Sequence, residues 1–294
     1  MNVLSLFDGM SCGRIALDKA GIDVTSYTAS EIDKHAVAVS DANWSDVKQI
    51  GDVTKWRDWY WDIDWSSIDL LIGGSPCQGF SFAGKQLAFN DPRSALFFEF
   101  VNIRNHINKA RSMAGLGEVK FLLENVKMKK QHLDVISGLL GVEPMFINSS
   151  LVSAQNRQRF YWFNWDASLP DDLGIRLNDI LDDGYHSTRP KSYCLDANYG
   201  KGTNFRRYFY CGSRQLVLEP GYMPSPMTKE TANDVMRSDG ARWRKLSVAE
   251  CERLQTVPAG YVDNVSIPEV EKYKVLGNGW TVDVITHLLN ELQK

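Results

Sequence analysis

The chain has 294 residues, 44% of them hydrophobic, and a formal net charge of −3, which is typical of a folded protein with one large domain or a large and a small one. Its first residues carry neither a basic start nor a long apolar run, so we expect no signal peptide and no membrane span. Five cysteines without a Cys-x-x-Cys pair argue against a disulfide framework or a zinc site and fit a reducing compartment.

Strands and helices are predicted to alternate over the first 165 residues. Strands are expected at Val3–Leu6, Tyr27–Ala29, Asp69–Ile72 and Phe121–Leu123, and helices after Gly13, at Ser94–Ile107 and at 131–140, where Gly141 ends the helix. This alternation predicts an α/β fold with a mainly parallel sheet. Ligands of such a sheet gather at the carboxyl ends of its strands, where Asp8, Glu31, Ser75–Cys77 and Glu124 stand.

The segment Phe7–Gly13 joins the first strand to the first helix and is typical of a ligand-binding turn. Its glycines allow a ligand to approach the backbone, and the helix N-terminus suits an anionic group. Glu31 is placed to accept both hydroxyls of a ribose, and Asp52 to accept an adenine amine at a third strand end. The spacing fits any adenosine-containing cofactor, but a plain strand–turn–helix corner is the alternative.

Three further motifs suggest reactive chemistry. Cys77 follows a glycine pair at a strand end and is a candidate nucleophile, although a lone cysteine is more often a small buried hydrophobe. Glu124 leaves an apolar strand as a candidate acid, with a helix cap or an ion pair as the alternative. Alternation predicts Gln155, Arg157 and Arg159 on one side of an extended segment, where two guanidinium groups suit a phosphate or a carbonyl oxygen. A charged, solvated strand edge is the alternative there.

The composition changes from about Asp166 to Arg244, which predicts a smaller, loop-rich module. Residues 186–245 contain eleven Lys and Arg against five Asp and Glu, a net +6, whereas the other residues carry a net −9. This asymmetry indicates a module that faces a polyanion within an acidic protein. Two more helices are predicted, at Ser247–Leu254 and Val282–Leu292.

A series of motifs stands in order along nearly the whole chain. They are Leu6-Phe7-Asp8-Gly9 with Gly13, Ala29-Ser30-Glu31, Gly51-Asp52-Val53, Gly73-Gly74-Ser75-Pro76-Cys77-Gln78-Gly79-Phe80-Ser81, Leu123-Glu124-Asn125-Val126, Gln155-Asn156-Arg157-Gln158-Arg159 and Leu276-Gly277-Asn278-Gly279-Trp280. The series resembles the DNA (cytosine-5) methyltransferase family of bacterial and phage type. The first loop and the last motif are similar to those of the eukaryotic de novo enzymes.

The resemblance implies a Rossmann-like methyltransferase fold and methyl transfer to carbon 5 of a cytosine flipped out of duplex DNA. It implies S-adenosylmethionine as the donor, S-adenosylhomocysteine as the product and no metal. Cys77 would add to ring carbon 6, while Glu124 would bond ring nitrogen 3 and the exocyclic amine. Asn125 would orient the backbone at the cysteine, and Arg157 and Arg159 would support the base carbonyl and the cysteine loop. Residues 1–166 and 274–294 would form the catalytic domain, and 167–273 the target-recognition domain.

The resemblance also assigns binding residues. The cofactor would be bound by Phe7, Asp8, Gly9, Ser11, Gly13, Glu31, Ile32, Asp52, Val53, Ser75, Pro76, Leu96, Asn278, Gly279 and Trp280. DNA would be contacted by Gln78, Ser81, Arg93, Gln155, Lys191, Lys201, Arg206, Arg207 and Arg214. The segment 78–93 looks like the family's lid over DNA, and the basic stretch falls within the segment that reads the sequence.

Other functions stay open at this point. The alternative that the chain is an RNA methyltransferase of the tRNA branch is disfavoured, because the Cys-Phe-Thr signature of that branch is missing. A non-catalytic DNA-binding regulator is disfavoured by intact Cys77, Glu124 and Arg157. A cofactor-only oxidoreductase is disfavoured because Ser11 replaces the middle glycine of the dinucleotide fingerprint. We expect a cytoplasmic monomer of a bacterium or phage-infected cell, without a membrane partner, that serves restriction–modification or phage self-modification.

Overall fold

The computed structural model describes residues 1–76, 95–202, 204–238 and 242–294. These residues form two compact units, which we call unit 1 and unit 2. Unit 1 comprises Met1–Ile147, Gln158–Leu169 and Ile285–Lys294, and unit 2 comprises Asn148–Arg157 and Pro170–Val284. Four predicted site residues, Cys77, Gln78, Ser81 and Arg93, lie outside the described residues, as does the rest of the segment predicted to be a lid.

Unit 1 is built on a seven-stranded sheet. The strands are β1 (Asn2–Leu6), β2 (Ser26–Ser30), β3 (Val47–Gln49), β4 (Leu70–Gly74), β5 (Lys120–Val126), β6 (Met145–Asn148) and β7 (Gln158–Phe163). They lie in the order β3-β2-β1-β4-β5-β7-β6. The first five pair in parallel, and β7 runs antiparallel to β5. The predicted mixed, mostly parallel sheet of a Rossmann-like fold is therefore confirmed.

The helices follow the apolar pattern of the sequence. They are α1 (Cys12–Lys19), α2 (Lys34–Asn43), α3 (Ala95–Met113), α4 (Lys130–Leu140), α5 (Ala232–Ser238), α6 (Val248–Gln255), α7 (Glu269–Asn278) and α8 (Val282–Leu292). Helix α3 buries an apolar face, since Phe97, Phe100 and Ile103 are fully buried. Each such side chain stabilises the fold by about 1.5–3 kcal/mol. Among the described helices, none has both the length and the apolar character needed to cross a membrane.

Strand β5 is longer than the sequence predicts. Glu124 and Asn125 lie within it rather than after its end, because β7 continues the hydrogen-bonded ladder opposite them. Strand β4 likewise includes both glycines of its predicted end. A Cβ atom on Gly73 would lie 2.9 Å from the carbonyl oxygen of Leu6, so the glycine permits close pairing with β1.

Unit 2 combines the short helices α5, α6 and α7 with long irregular segments. Its two-stranded sheet pairs β8 (Leu216–Leu218) with β9 (Trp243–Lys245), and a π-helical turn occupies Arg206–Tyr210. A small core of Phe205, Tyr208, Leu216, Leu218, Tyr222 and Ala232 holds these pieces together. The loop-rich character predicted for this part of the chain is confirmed. Residues 274–284 are part of this unit, and the predicted division into catalytic and recognition domains stays a prediction.

Candidate active site

The loop between β1 and α1 has an unusual backbone. Phe7, Gly9 and Ser11 all have positive φ, at 57°, 62° and 62°. Such conformations cost a non-glycine residue on the order of 1–3 kcal/mol and are common where a loop must present its backbone to a ligand. A Cβ atom on Gly9 would meet nothing within 4 Å, so the backbone there borders open space. This loop can therefore be approached closely by a ligand, as the sequence predicts.

At Gly13, side-chain packing rather than ligand access explains the glycine. A Cβ atom there would overlap Cδ1 of Ile72 and lie 2.8 Å from the hydroxyl oxygen of Tyr27. The missing side chain thus makes room for two side chains of the protein itself. Its geometry gives Gly13 a packing role within unit 1.

Glu31 is fixed at the end of β2 by three backbone amides. Its Oε2 accepts a hydrogen bond from Gly9 N at 2.8 Å, and its Oε1 accepts from the amides of Ile32 and Asp33 at 2.7 and 2.8 Å. The Ile32 side chain beside it is 75% exposed. A fixed carboxylate next to an exposed apolar side chain fits a ribose with an attached base, because carboxylate oxygens accept several hydrogen bonds.

Asp52 begins the short helical segment Val53–Trp61. Its Oδ1 accepts from the amide and the hydroxyl of Thr54, both at 2.9 Å. These hydrogen bonds hold the pKa of Asp52 below its usual value, so the group is an ionised acceptor. The hydroxyl of Ser30 donates to the carbonyl of Gly51 at 2.6 Å and thereby ties this segment to the end of β2. Asp52 therefore stands close to the strand end that carries Glu31.

Three of the other predicted cofactor residues of unit 1 are apolar. Val53 is buried in the core, and Leu96 and Phe7 pack partly buried against it. The carboxylate, amide and apolar groups at these strand ends fit an adenosine-containing cofactor.

Glu124 and Arg159 meet near the carboxyl end of β5. The register pairs Val126 with Arg159 and Glu124 with Tyr161, which makes Glu124 and Arg159 diagonal neighbours on one face of the sheet. Arg159 Nε lies 2.7 Å from Glu124 Oε1, and the two side chains are 15% and 11% exposed. The guanidinium therefore fixes the orientation of a largely buried carboxyl group.

Asn125 projects from the same strand toward the end of β4. Its Nδ2 donates to the hydroxyl of Ser75 at 3.1 Å and lies 3.4 Å from the Ser75 carbonyl oxygen. Both side chains are buried, so this contact restrains the backbone that leads into Pro76. The predicted role of Asn125 in orienting the cysteine backbone stays a prediction.

Comparison with known proteins identifies the family. Residues 1–171 and 176–294 match the model of the C-5 cytosine-specific DNA methylases. The chain belongs to this family. It is therefore a DNA (cytosine-5) methyltransferase, and enzymes of this family depend on S-adenosylmethionine.

Two relatives of this methyltransferase are bacterial type II methyltransferases. It is 29% identical to the type II methyltransferase M1.ScrFI of Lactococcus lactis subsp. cremoris, over 96% of this chain and 75% of the relative. It is 27% identical to the type II methyltransferase M.NlaX of Neisseria lactamica, over 99% and 96%. Among solved structures, the methyltransferase EhMeth of Entamoeba histolytica superimposes with a TM-score of 0.71 at 16% identity, over 99% of this chain and 97% of that one. The last likeness shows the fold alone.

Arg157 of the methyltransferase's Gln-x-Arg-x-Arg motif lies in unit 2, whereas Arg159 lies in β7 of unit 1, and their predicted common side stays a prediction. Strand β7 begins only at Gln158, and Arg157 is 3% exposed within unit 2. Its guanidinium donates to the carbonyls of Leu195, Gly277 and Gly279 at 3.0, 3.3 and 2.7 Å. Arg157 therefore binds the backbone of its own unit, including the segment with Asn278 and Gly279.

Gln155 is fully buried, which does not fit the predicted DNA contact. Its Nε2 donates to the Leu254 carbonyl at 2.6 Å and to Oε1 of Gln255 at 2.8 Å, and its Oε1 accepts from Leu195 N at 3.2 Å. Both ends of the amide are thus used inside unit 2. Trp280, also in this unit, is 9% exposed.

The basic residues of the methyltransferase's predicted recognition region fall into two groups. Lys191 donates to the carbonyls of Ser150 and Ser153 at 2.6 and 3.0 Å, and burial lowers the pKa of its ammonium group. Arg214 donates to the Gly202 carbonyl at 2.6 Å. These two cations stabilise unit 2 itself. In contrast, Lys201, Arg206 and Arg207 are exposed.

Sequence reasoning missed Tyr27 and Ser40, which lie beneath the loop between β1 and α1. Both are buried and belong to a hydrogen-bonded network with Asp8 and Ser11. No motif marks them, because a tyrosine in a strand and a serine in a helix are ordinary residues there. Only the close approach of Tyr27 to Gly13 connects them to a conspicuous glycine.

Proposed function

We propose that this methyltransferase acts on a cytosine flipped out of duplex DNA, through a covalent bond between Cys77 and ring carbon 6. The observation that carries the proposal is the pair of Glu124 and Arg159, held 2.7 Å apart and largely buried. Beside it, Asn125 restrains the backbone that leads into the Pro-Cys motif. Flipping is needed because the target atom is inaccessible within a base-paired stack, and it costs a few kcal/mol.

The reaction begins when the Cys77 thiolate adds to carbon 6 of the ring. Glu124 donates a proton to ring nitrogen 3, so the electrons displaced from the ring double bond are stabilised and carbon 5 becomes nucleophilic. S-adenosylmethionine, when bound, supplies an electrophilic methyl group for carbon 5. A water then removes the carbon-5 proton, the thiolate leaves carbon 6 to restore the double bond, and ring nitrogen 3 returns its proton to Glu124. Arg159 orients Glu124 and the base carbonyl during these steps.

The cofactor is held by the groups at the ends of β1 and β2. Glu31 binds the ribose hydroxyls, Asp52 and the Val53 backbone bind the adenine, and Ile32 and Phe7 pack against the base or the methionine part. The amides around Gly9 bind the methionine end. The family motifs also assign six further residues to the cofactor, namely Ser75, Pro76, Leu96, Asn278, Gly279 and Trp280.

Duplex DNA is bound in part by the exposed cations Lys201, Arg206 and Arg207, which suit phosphates and guanine edges. Gln78, Ser81 and Arg93 are assigned to DNA by the family motif. The names of the bacterial relatives support a role in restriction–modification, and we propose a cytoplasmic monomer for this role. We give Arg157 a positioning role, because its donors are used within unit 2.

Transfer of labelled methyl groups to duplex DNA and to tRNA tests this function. We expect label in DNA only, and its loss with Cys77→Ala, because no other group would replace the nucleophile. Cys211→Ala is the matched control, since Cys211 is an exposed thiol, and it should retain activity. Labelled tRNA without labelled DNA, or activity that survives Cys77→Ala, would contradict the proposal.

A further inference from the structure

The side chain of Asp8 faces the interior of unit 1. It is 9% exposed, and its Oδ1 accepts a hydrogen bond from the Tyr27 hydroxyl at 2.6 Å. Its Oδ2 accepts from the hydroxyl of Ser11 at 2.5 Å. Both carboxylate oxygens therefore bind groups of the protein, although the residue lies in a loop assigned to the cofactor.

These bonds connect the loop to three other elements. The Ser11 hydroxyl lies 2.6 Å from that of Ser40 in α2, and Gln49 of β3 donates to Ser40 at 3.2 Å. Tyr27 belongs to β2, and its hydroxyl occupies the space that a side chain at Gly13 would fill. The hydrogen bonds of Asp8 and Ser11 therefore link the loop to β2, α2 and β3.

Burial raises the pKa of Asp8 to about 6, although hydrogen bonds from Ser11, Ser5 and Tyr27 act in the opposite direction. The charge of Glu31 adds to the rise, and the other groups that face Asp8 are polar and uncharged hydroxyls. At neutral pH the protein therefore keeps a buried anion below a loop in which Phe7, Gly9 and Ser11 have left-handed backbone. A neutral side chain would be less costly to bury.

We propose that Asp8 is a positioning residue, which holds the loop Phe7–Gly13 in its cofactor-binding conformation by accepting hydrogen bonds from Tyr27 and Ser11. The inference rests on the proposed cofactor site. An ionised carboxylate accepts from two hydroxyls, whereas a protonated one must also donate. Affinity for the cofactor should therefore fall as the pH falls and Asp8 gains a proton, without any contact between Asp8 and the cofactor.

Calorimetric titration of the full chain with S-adenosylhomocysteine between pH 5 and 8 tests this inference. For the wild type, we expect the Kd to rise as the pH falls through about 6. At pH 8, Asp8→Asn should weaken binding by about tenfold, the effect of losing one charge-assisted hydrogen bond, and should remove this pH dependence. Asp18→Asn, on the exposed side of α1, is the matched control and should behave as the wild type.

Tyr27→Phe and Ser11→Ala remove the two hydrogen bonds singly, and each should weaken binding even if Asp8→Asn fails to fold. Equal affinity of the wild type and of all three variants at every pH would overturn the inference while leaving the proposed function intact. A wild type that binds no S-adenosylhomocysteine would overturn the proposed cofactor site, and the inference with it.

Discussion

Two carboxylates serve the loop between β1 and α1 in different ways. Glu31 receives three backbone amides at the end of β2 and borders the exposed side chain of Ile32. Asp8 receives two hydroxyls in the interior of unit 1. The sequence predicts a cofactor role for both residues, because their positions after strands are equivalent. It does not predict the direction of the Asp8 side chain, which depends on Tyr27 from another strand.

The raised pKa of Asp8 has a consequence for stability. Because the folded state binds this proton more tightly than the unfolded chain, Asp8 contributes stability that is complete below pH 3.8 and is lost as the pH rises through about 6. Between pH 5 and pH 8 the loss is about 1.4 kcal/mol. Asp8→Asn has no such pH-dependent contribution. Its free energy of unfolding relative to the wild type should therefore increase by the same amount between pH 5 and pH 8.

Urea unfolding at several pH values measures this difference. The same variant is expected to bind S-adenosylhomocysteine less well at pH 8, although its stability relative to the wild type rises between pH 5 and pH 8. Asp18→Asn should follow the wild type. Parallel stability profiles for the wild type and Asp8→Asn would contradict a raised pKa at Asp8.

Among the helices and strands, the apolar pattern was sufficient for several segments that determine their own structure. The final helix α8 spans Val282–Leu292 as predicted, and α4 ends before Gly141, which has φ of 75°. The pattern failed where a distant partner decides the outcome. Strand β5 extends through Glu124 because β7 pairs with it, and Arg157 turns to carbonyls more than a hundred residues away in sequence.

The turn Arg206–Tyr210 shows how a short element can present charge. Phe205 and Tyr208 are fully buried in the small core of unit 2, whereas Arg206 and Arg207 are exposed. The core thus holds two guanidinium groups outward on a fixed backbone. This arrangement favours DNA contacts by these two residues over contacts by Lys191 and Arg214, whose donors bind carbonyl oxygens.

Replacing both Arg206 and Arg207 with alanine should weaken DNA binding and reduce its dependence on salt. If both meet phosphates, the slope of log K against log salt should fall by about 2, since each phosphate contact contributes roughly 0.9. Fluorescence anisotropy with a duplex at several salt concentrations measures the slope. Arg57→Ala, which removes an exposed cation of unit 1, should leave it unchanged. An unaltered slope in the double variant would show that neither arginine meets a phosphate.

At the scale of the whole chain, a net charge of −3 conceals a basic stretch of +6 within an acidic remainder. The exposed cations of that stretch lie in unit 2, while Glu31, Asp52 and Glu124 lie in unit 1. Motif order was enough to predict the family, and the alternation of strands and helices was enough to predict the parallel sheet. Which basic residues are exposed could not be predicted, because a lysine or arginine that binds carbonyl oxygens has the same sequence signal as one that binds DNA.

A duplex with 5-fluorocytosine at the target position tests the covalent bond from Cys77 to the base. Fluorine at carbon 5 cannot be removed as a proton, so the cysteine should stay attached to carbon 6 after methyl transfer. With S-adenosylmethionine present, we predict a protein–DNA adduct that survives denaturing electrophoresis for the wild type and Cys211→Ala, and no adduct for Cys77→Ala. An adduct formed by Cys77→Ala, or methylation of ordinary duplex DNA by a wild type that forms no adduct, would contradict the account.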